Sequence, residues 1–102
     1  KNADAIKAKG VDEIACVSVN DAFVMDAWGT SQNAGDAVAM LADGSAIFAN
    51  ELGLGLDLVS KGMGPRSQRY AMIVDDGTVS VLNVEEAGAF DVSSAEAILA
   101  AL

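Results

Sequence analysis

The apolar residues fall into short blocks separated by polar, glycine-bearing turns, and their spacing changes from block to block. In "EIACVSV", 13–19, Ile14, Cys16 and Ser18 share one side, and Ala15, Val17 and Val19 the other. Both sides are largely apolar, as in a strand covered on both faces of an α/β sheet. Asn20 or Asp21 then caps a helix from about Ala22. Phe23, Val24, Ala27 and Trp28 form its expected buried stripe, and Gly29 its stop. "AVAML", 37–41, predicts a second strand, followed by an "ADGS" turn. Asp43 or Ser45 caps a helix through Leu52, with Ile47, Phe48 and Leu52 facing inward and Gly53 as its stop. The glycine-rich run 53–68, which holds the only proline, is expected to be the longest loop.

"RYAMIV", 69–74, and "TVSVLNV", 78–84, read as strands joined at Asp76-Gly77, a strong hairpin signal. Ser93-Ser94-Ala95-Glu96 has the spacing of a capping box in front of "AILAAL". At the other end, Lys1–Lys9 reads as the last turns of a helix closed by Gly10. A run of β and α elements, then a hairpin, then a closing helix predicts an α/β protein with the back half of a thioredoxin-like fold. A flavodoxin-like sheet is the alternative, but such sheets do not end in a hairpin.

Composition narrows the chemistry. The chain has 102 residues and a formal charge of −9, which argues against nucleic acid or an anionic membrane as partner. No apolar run approaches the roughly 20 residues of a membrane span. There is no histidine and a single cysteine, so histidine-based catalysis, an internal disulfide and a cysteine-ligated zinc site are all excluded within these residues. No metal or other cofactor is expected. A reducing compartment fits, and the expected location is cytoplasmic. Cys16, in a strand with two apolar faces, is read as a structural thiol, since burial raises a thiol's pKa and slows its reactions.

"KAKGVDEIACVSVNDAFVMDAWG", then "MLAD", "QRYAMIVDDG", "VLNVEE" and "SSAEAILAAL", occur in this order. Together they resemble the atypical peroxiredoxin family (peroxiredoxin-5, plant type II and bacterial relatives). The resemblance covers roughly Ala5 to Leu102. It implies that residues 1–102 are the C-terminal part of a single redoxin domain, a thioredoxin-like fold incomplete at the N-terminus. It also implies a thiol-dependent peroxidase acting on hydrogen peroxide and alkyl hydroperoxides. The family's catalytic cysteine lies in an upstream Pro-x-x-x-Thr-x-x-Cys loop that these residues do not contain.

By the same resemblance, Arg69 is the arginine that faces the peroxidatic sulfur, and Leu58, Val59 and Met63 lie where the family builds an apolar wall for its substrate. Arg66 is expected to be a solvated surface charge, with an auxiliary role as the alternative. "AFDVSSAE" holds no thiol where some relatives carry a resolving cysteine. The resemblance therefore implies an outside reductant: glutathione, glutaredoxin or thioredoxin. It implies a homodimer as well, with its contact near the segment that follows "VNDAF" and the Asp43-Gly44 turn.

The chain opens on Lys1 rather than methionine and is expected to be part of a longer protein. In the family's fold a further strand lies between those like "EIACVSV" and "RYAMIV". Alone, these residues are expected to be inactive, and unstable through unpaired strand edges. Two competing readings are a non-catalytic redoxin-like module that binds a protein, and a flavodoxin-like domain for a phosphorylated ligand. The glycines at 53, 55, 62 and 64 do not support the latter, since they do not link a strand to a helix N-terminus.

Overall fold

The structure is a computed structural model that describes residues 2–102; Lys1, the first residue of the expected N-terminal helix, lies outside them. Two compact units are present: Val11–Ser67, and the segment ending at Gly10 together with Gln68–Leu102.

The Val11–Ser67 unit begins as a β-α-β run. Strand β1 (Ala15–Ser18) pairs in parallel with β2 (Ala39–Ala42), Cys16 opposite Met40. Helix α2 (Ala22–Ser31) connects them, and the Asp21 carboxylate accepts the Val24 N–H at 2.8 Å. That bond satisfies one of the donors a helix start leaves free. The predicted stripe is on the wrong side. Met25 and Gly29, one turn apart, are the buried residues of α2, while Phe23 is 86% exposed and Val24 and Trp28 are also outside. Gly29 is not a stop either: the helix runs on to Ser31, and Asn33 takes the left-handed backbone position beyond it. Gly29 is instead a close-approach residue, because a Cβ there would lie 2.9 Å from Met40 Cγ. A side chain there would force the Met40 side chain to shift.

The second helix shows the same inversion. Helix α3 (Ile47–Glu51) buries Ala49, with Ala46 just before it, while Ile47, Phe48 and Leu52 face outward. Ala46 occupies the left-handed region (φ 60°) and caps nothing. The capping falls to Asp43, as expected, though from farther back: its carboxylate accepts the Phe48 and Ala49 N–H groups at 3.0 and 2.9 Å. Gly53, at φ 73°, stops the helix as the sequence predicts. The small core of this unit joins Val19, Ala46 and Ala49.

Residues 53–68 are not a long loop. Strand β3 (Gly55–Leu58), a 3-10 turn (Val59–Lys61) and strand β4 (Gly64–Ser67) form an antiparallel hairpin, with Pro65 opposite Asp57. Half-buried Arg66 ties it down. Its Nη1 donates to Val19 O at 2.8 Å and to Asn20 Oδ1 at 2.9 Å, and its Nε donates to Met63 O at 2.9 Å. Three bonds to fixed acceptors make it a structural clasp between the hairpin and the β1–α2 turn, rather than the expected solvated charge.

The other unit holds α1 (Ala3–Ala8), the hairpin of β5 (Tyr70–Asp75) and β6 (Thr78–Val84), and α4 (Ala95–Ala101). Asp76 and Gly77 both have positive φ, 50° and 78°, as the tight hairpin turn requires. The pairing slips once between Ile73 and Val74, which leaves Ser80 as the extra residue; its hydroxyl donates to Ile73 O. Ser94 caps α4 by accepting the Ala97 N–H, so the predicted box is displaced by one residue and Glu96 no longer reaches its box position. Among the described residues the strands form three separate two-stranded sheets.

The close contact of α2 with β2 gives a direct test. Gly29→Val should cost about 1–3 kcal/mol through overpacking against Met40. A lowered urea midpoint, followed by Trp28 fluorescence, is the expected readout.

Candidate active site around Arg69

Arg69 precedes β5, and its carbonyl accepts the Glu85 N–H at 2.9 Å, extending the β5–β6 ladder by one pair. Its side chain is exposed, and the guanidinium carbon stands 4.3 Å from the centroid of the Phe90 ring. A flat cation over a ring face is held by the ring's quadrupole.

Glu85 is the one charged side chain found buried among the described residues, at 8% exposure. One of its carboxylate oxygens accepts from the Ser93 hydroxyl at 2.7 Å, the Ser93 N–H at 2.9 Å and the Asp91 N–H at 2.6 Å. These bonds, the Ser93 hydroxyl foremost, outweigh burial and hold the carboxyl at a pKa of about 2. Glu85 therefore stays ionised, and as an anion it gathers the 91–93 backbone. Asn83 Nδ2 adds a bond to Val92 O at 2.9 Å, and the Ala89 N–H closes a turn onto Glu86 O. Phe90 sits between these two fixed points and presents its ring to Arg69.

The other predicted residues lie in the Val11–Ser67 unit. Leu58 ends β3, half-buried, and Met63 precedes β4, half exposed. The Met63 N–H donates to Leu58 O at 3.1 Å, so the hairpin brings these two together. Val59, in the turn between them, is 64% exposed. Cys16 lies within β1, half-buried. A separate hollow of about 730 Å³ between α2 and β2 is bounded by Asp26, Thr30, Asn33 and Met40, and none of the predicted site residues lines it. Among the described residues, no group of three or more acidic, cysteine or histidine side chains is placed to hold a metal ion.

The Redoxin family matches residues 1–99. The chain belongs to that family. It is 54% identical over 102 residues to the chloroplastic peroxiredoxin-2E of Arabidopsis thaliana, covering 98% of this chain and 44% of that protein. With peroxiredoxin-2B of the same plant it shares 53% identity, covering all of this chain and 63% of the relative. The reduced peroxiredoxin of Vibrio vulnificus, solved in complex with hydrogen peroxide, superposes with a TM-score of 0.93 at 62% identity. That match covers 99% of this chain and 65% of the other. The redoxin chain thus has the thioredoxin-like α/β fold of the peroxiredoxins and is consistent with their atypical group. It spans about half to two thirds of the length of these relatives.

Glu85 and Phe90 were not singled out by sequence reasoning. The "VEE" pair offers two acids in a row after a strand, and only the fold shows that Glu85 turns inward while Glu86 stays exposed. Phe90 stands alone between turn residues, where no periodicity exists to assign it a side.

Glu85 also sets an acid limit. Its folded pKa, about 2, lies below the ordinary 4.5, so the unfolded chain binds the extra proton between those values. The stability it contributes is complete above pH 4.5 and is lost as pH falls toward 2. Urea midpoints measured across that window should fall with acid in the parent protein and fall less in Glu85→Gln.

Proposed function

We propose that these residues are the arginine-bearing part of a thiol-dependent peroxidase that reduces hydrogen peroxide and alkyl hydroperoxides. The observation that carries this reading is Arg69 at the head of β5, its guanidinium exposed and steadied by Phe90, within a chain 62% identical to a peroxiredoxin solved with hydrogen peroxide. The peroxidatic cysteine would lie outside these 102 residues, because Cys16, the single cysteine present, is a half-buried strand residue. Without that thiol the 102 residues alone would be inactive.

In the proposed reaction a thiolate attacks one peroxide oxygen. A sulfur–oxygen bond forms, the oxygen–oxygen bond breaks, and the sulfur is oxidised to sulfenic acid. The departing hydroxide or alkoxide takes a proton and leaves as water or alcohol. A guanidinium favours the thiolate over the thiol, and its several N–H donors can also hold the oxygen on which charge develops. An external thiol then condenses with the sulfenic acid and releases water. A second thiol exchanges with the mixed disulfide and restores the cysteine. Glutathione or glutaredoxin suits a chain with no resolving cysteine before α4, and thioredoxin is the other candidate. Leu58 and Met63, side by side on the β3–β4 hairpin, are the proposed apolar contacts of the substrate. A cytoplasmic setting fits a chain with a single cysteine; among its relatives, some are named chloroplastic or mitochondrial.

A homodimer is the proposed assembly. The outward stripe of α2, with Phe23 86% exposed beside Val24 and Trp28, and the outward Ile47 of α3 supply apolar surface. Asp43, which caps α3, is tied to the end of β1, just before α2, where its N–H donates to Ser18 O. The same surface favours a second reading, a non-catalytic module that binds another protein. Phe23→Asp should shift the sedimenting species from dimer to monomer; an unchanged dimer would contradict the proposed contact.

The function itself is tested at Arg69 in the full-length protein. Arg69→Leu should lower kcat/KM for hydrogen peroxide by on the order of 10²-fold, the scale of losing a preorganised donor to developing charge. Stopped-flow reduction assays give the number, and an unchanged rate would support the module reading.

A further inference from the structure

Arg69 is more than an exposed cation at a strand end, because the fold supplies it with a mount. Its backbone is held by the Glu85 N–H, and its guanidinium is faced by Phe90 at 4.3 Å. The same Glu85 reaches with its carboxylate to Asp91 and Ser93, the residues just beyond Phe90. One residue therefore fixes both the arginine and the loop that carries its ring. Phe90 is 62% exposed among the described residues, so burial against them does not explain where its ring lies.

We propose that Phe90 is a positioning residue for Arg69: stacking selects the plane of the guanidinium, and the loop anchored by Glu85 selects the place of the ring. This rests on the peroxidase reading above and names how its arginine is aimed. The chemistry follows from shape. All five guanidinium N–H donors lie in one plane. A ring against one face leaves that plane's edges free, so fixing the plane fixes where the donors point. An unstacked arginine on an exposed strand end would spread its donors over many rotamers, and few of them would face a peroxide oxygen.

The test compares wild type, Phe90→Leu and Phe90→Tyr in the full-length protein, with two readouts. The first is the NMR signal of the Arg69 Nε–H, assigned by its loss in Arg69→Lys. A ring at this distance displaces the signal through its ring current. Leucine should abolish the displacement and tyrosine should retain it; Glu85→Gln, which exchanges an acceptor oxygen for a donor group, should weaken it. The second readout is kcat/KM for hydrogen peroxide. It should fall about two- to fivefold in Phe90→Leu, the scale of an exposed cation–π contact, and return in Phe90→Tyr. Phe90→Tyr keeps the ring and controls for any effect of the leucine on folding.

A displacement that survives Phe90→Leu would overturn the proposal. So would a displacement that vanishes with no change in kcat/KM, in an enzyme that Arg69→Lys impairs. A peroxidase indifferent to Arg69→Lys would instead refute the assigned role of Arg69, and that result is read without altering Phe90.

Discussion

A single carboxylate oxygen on Glu85 receives three hydrogen bonds, from two backbone N–H groups and one hydroxyl, at the end of β6. The chain between β6 and α4 has no helix or strand of its own, and this anion supplies the order that a ladder supplies elsewhere. Ser93 bonds to Glu85, and Ser94, the next residue, caps α4, so the start of that helix is set by the same contact. In the other direction, the Glu85 N–H extends the sheet to Arg69. Loss of the carboxylate would free the loop, the ring it carries and the register of the helix that follows. A charge is suited to this task because hydrogen bonds to an ionised acceptor are stronger than neutral ones.

Much of the fold was legible in the sequence where local chemistry dictates the backbone. Asp76-Gly77 must form a tight turn, Gly10 and Gly53 must end helices, and Asn20 or Asp21 must begin one; the turn and both stops form, and Asp21 takes the cap. The sides of the helices were not legible. On α2 and α3 the largest apolar residues point outward, and Gly29, Ala46 and Ala49 are buried. Periodicity finds an apolar stripe but does not say which surface it serves. Close packing between helix and strand demands small residues, and such residues carry little hydrophobic signal. The run 53–68 differs from the loop that its glycines suggest for a related reason: Gly62 and Gly64 flank Met63 at the turn of a hairpin, and Arg66, within that hairpin, clasps it to the β1–α2 turn. No local pattern shows that this arginine reaches Val19 and Asn20, more than 40 residues away.

The candidate site divides in the same way. Arg69 was legible through a family resemblance that the Redoxin match bears out at the level of family. What holds Arg69 in place was not, because Glu85 and Phe90 act through tertiary contacts alone. On the proposed reading this stretch of a redoxin has a supporting part in catalysis: it would supply a steadied cation, with the reacting sulfur on a different segment of the protein.

That division of labour is the central claim, and the coding sequence immediately upstream of Lys1 tests it most directly. If the claim holds, this sequence encodes a strand followed by a Pro-x-x-x-Thr-x-x-Cys loop, in frame with residue 1. A start codon at the boundary, with no such loop before it, would contradict the claim and leave Arg69 without a thiolate to serve.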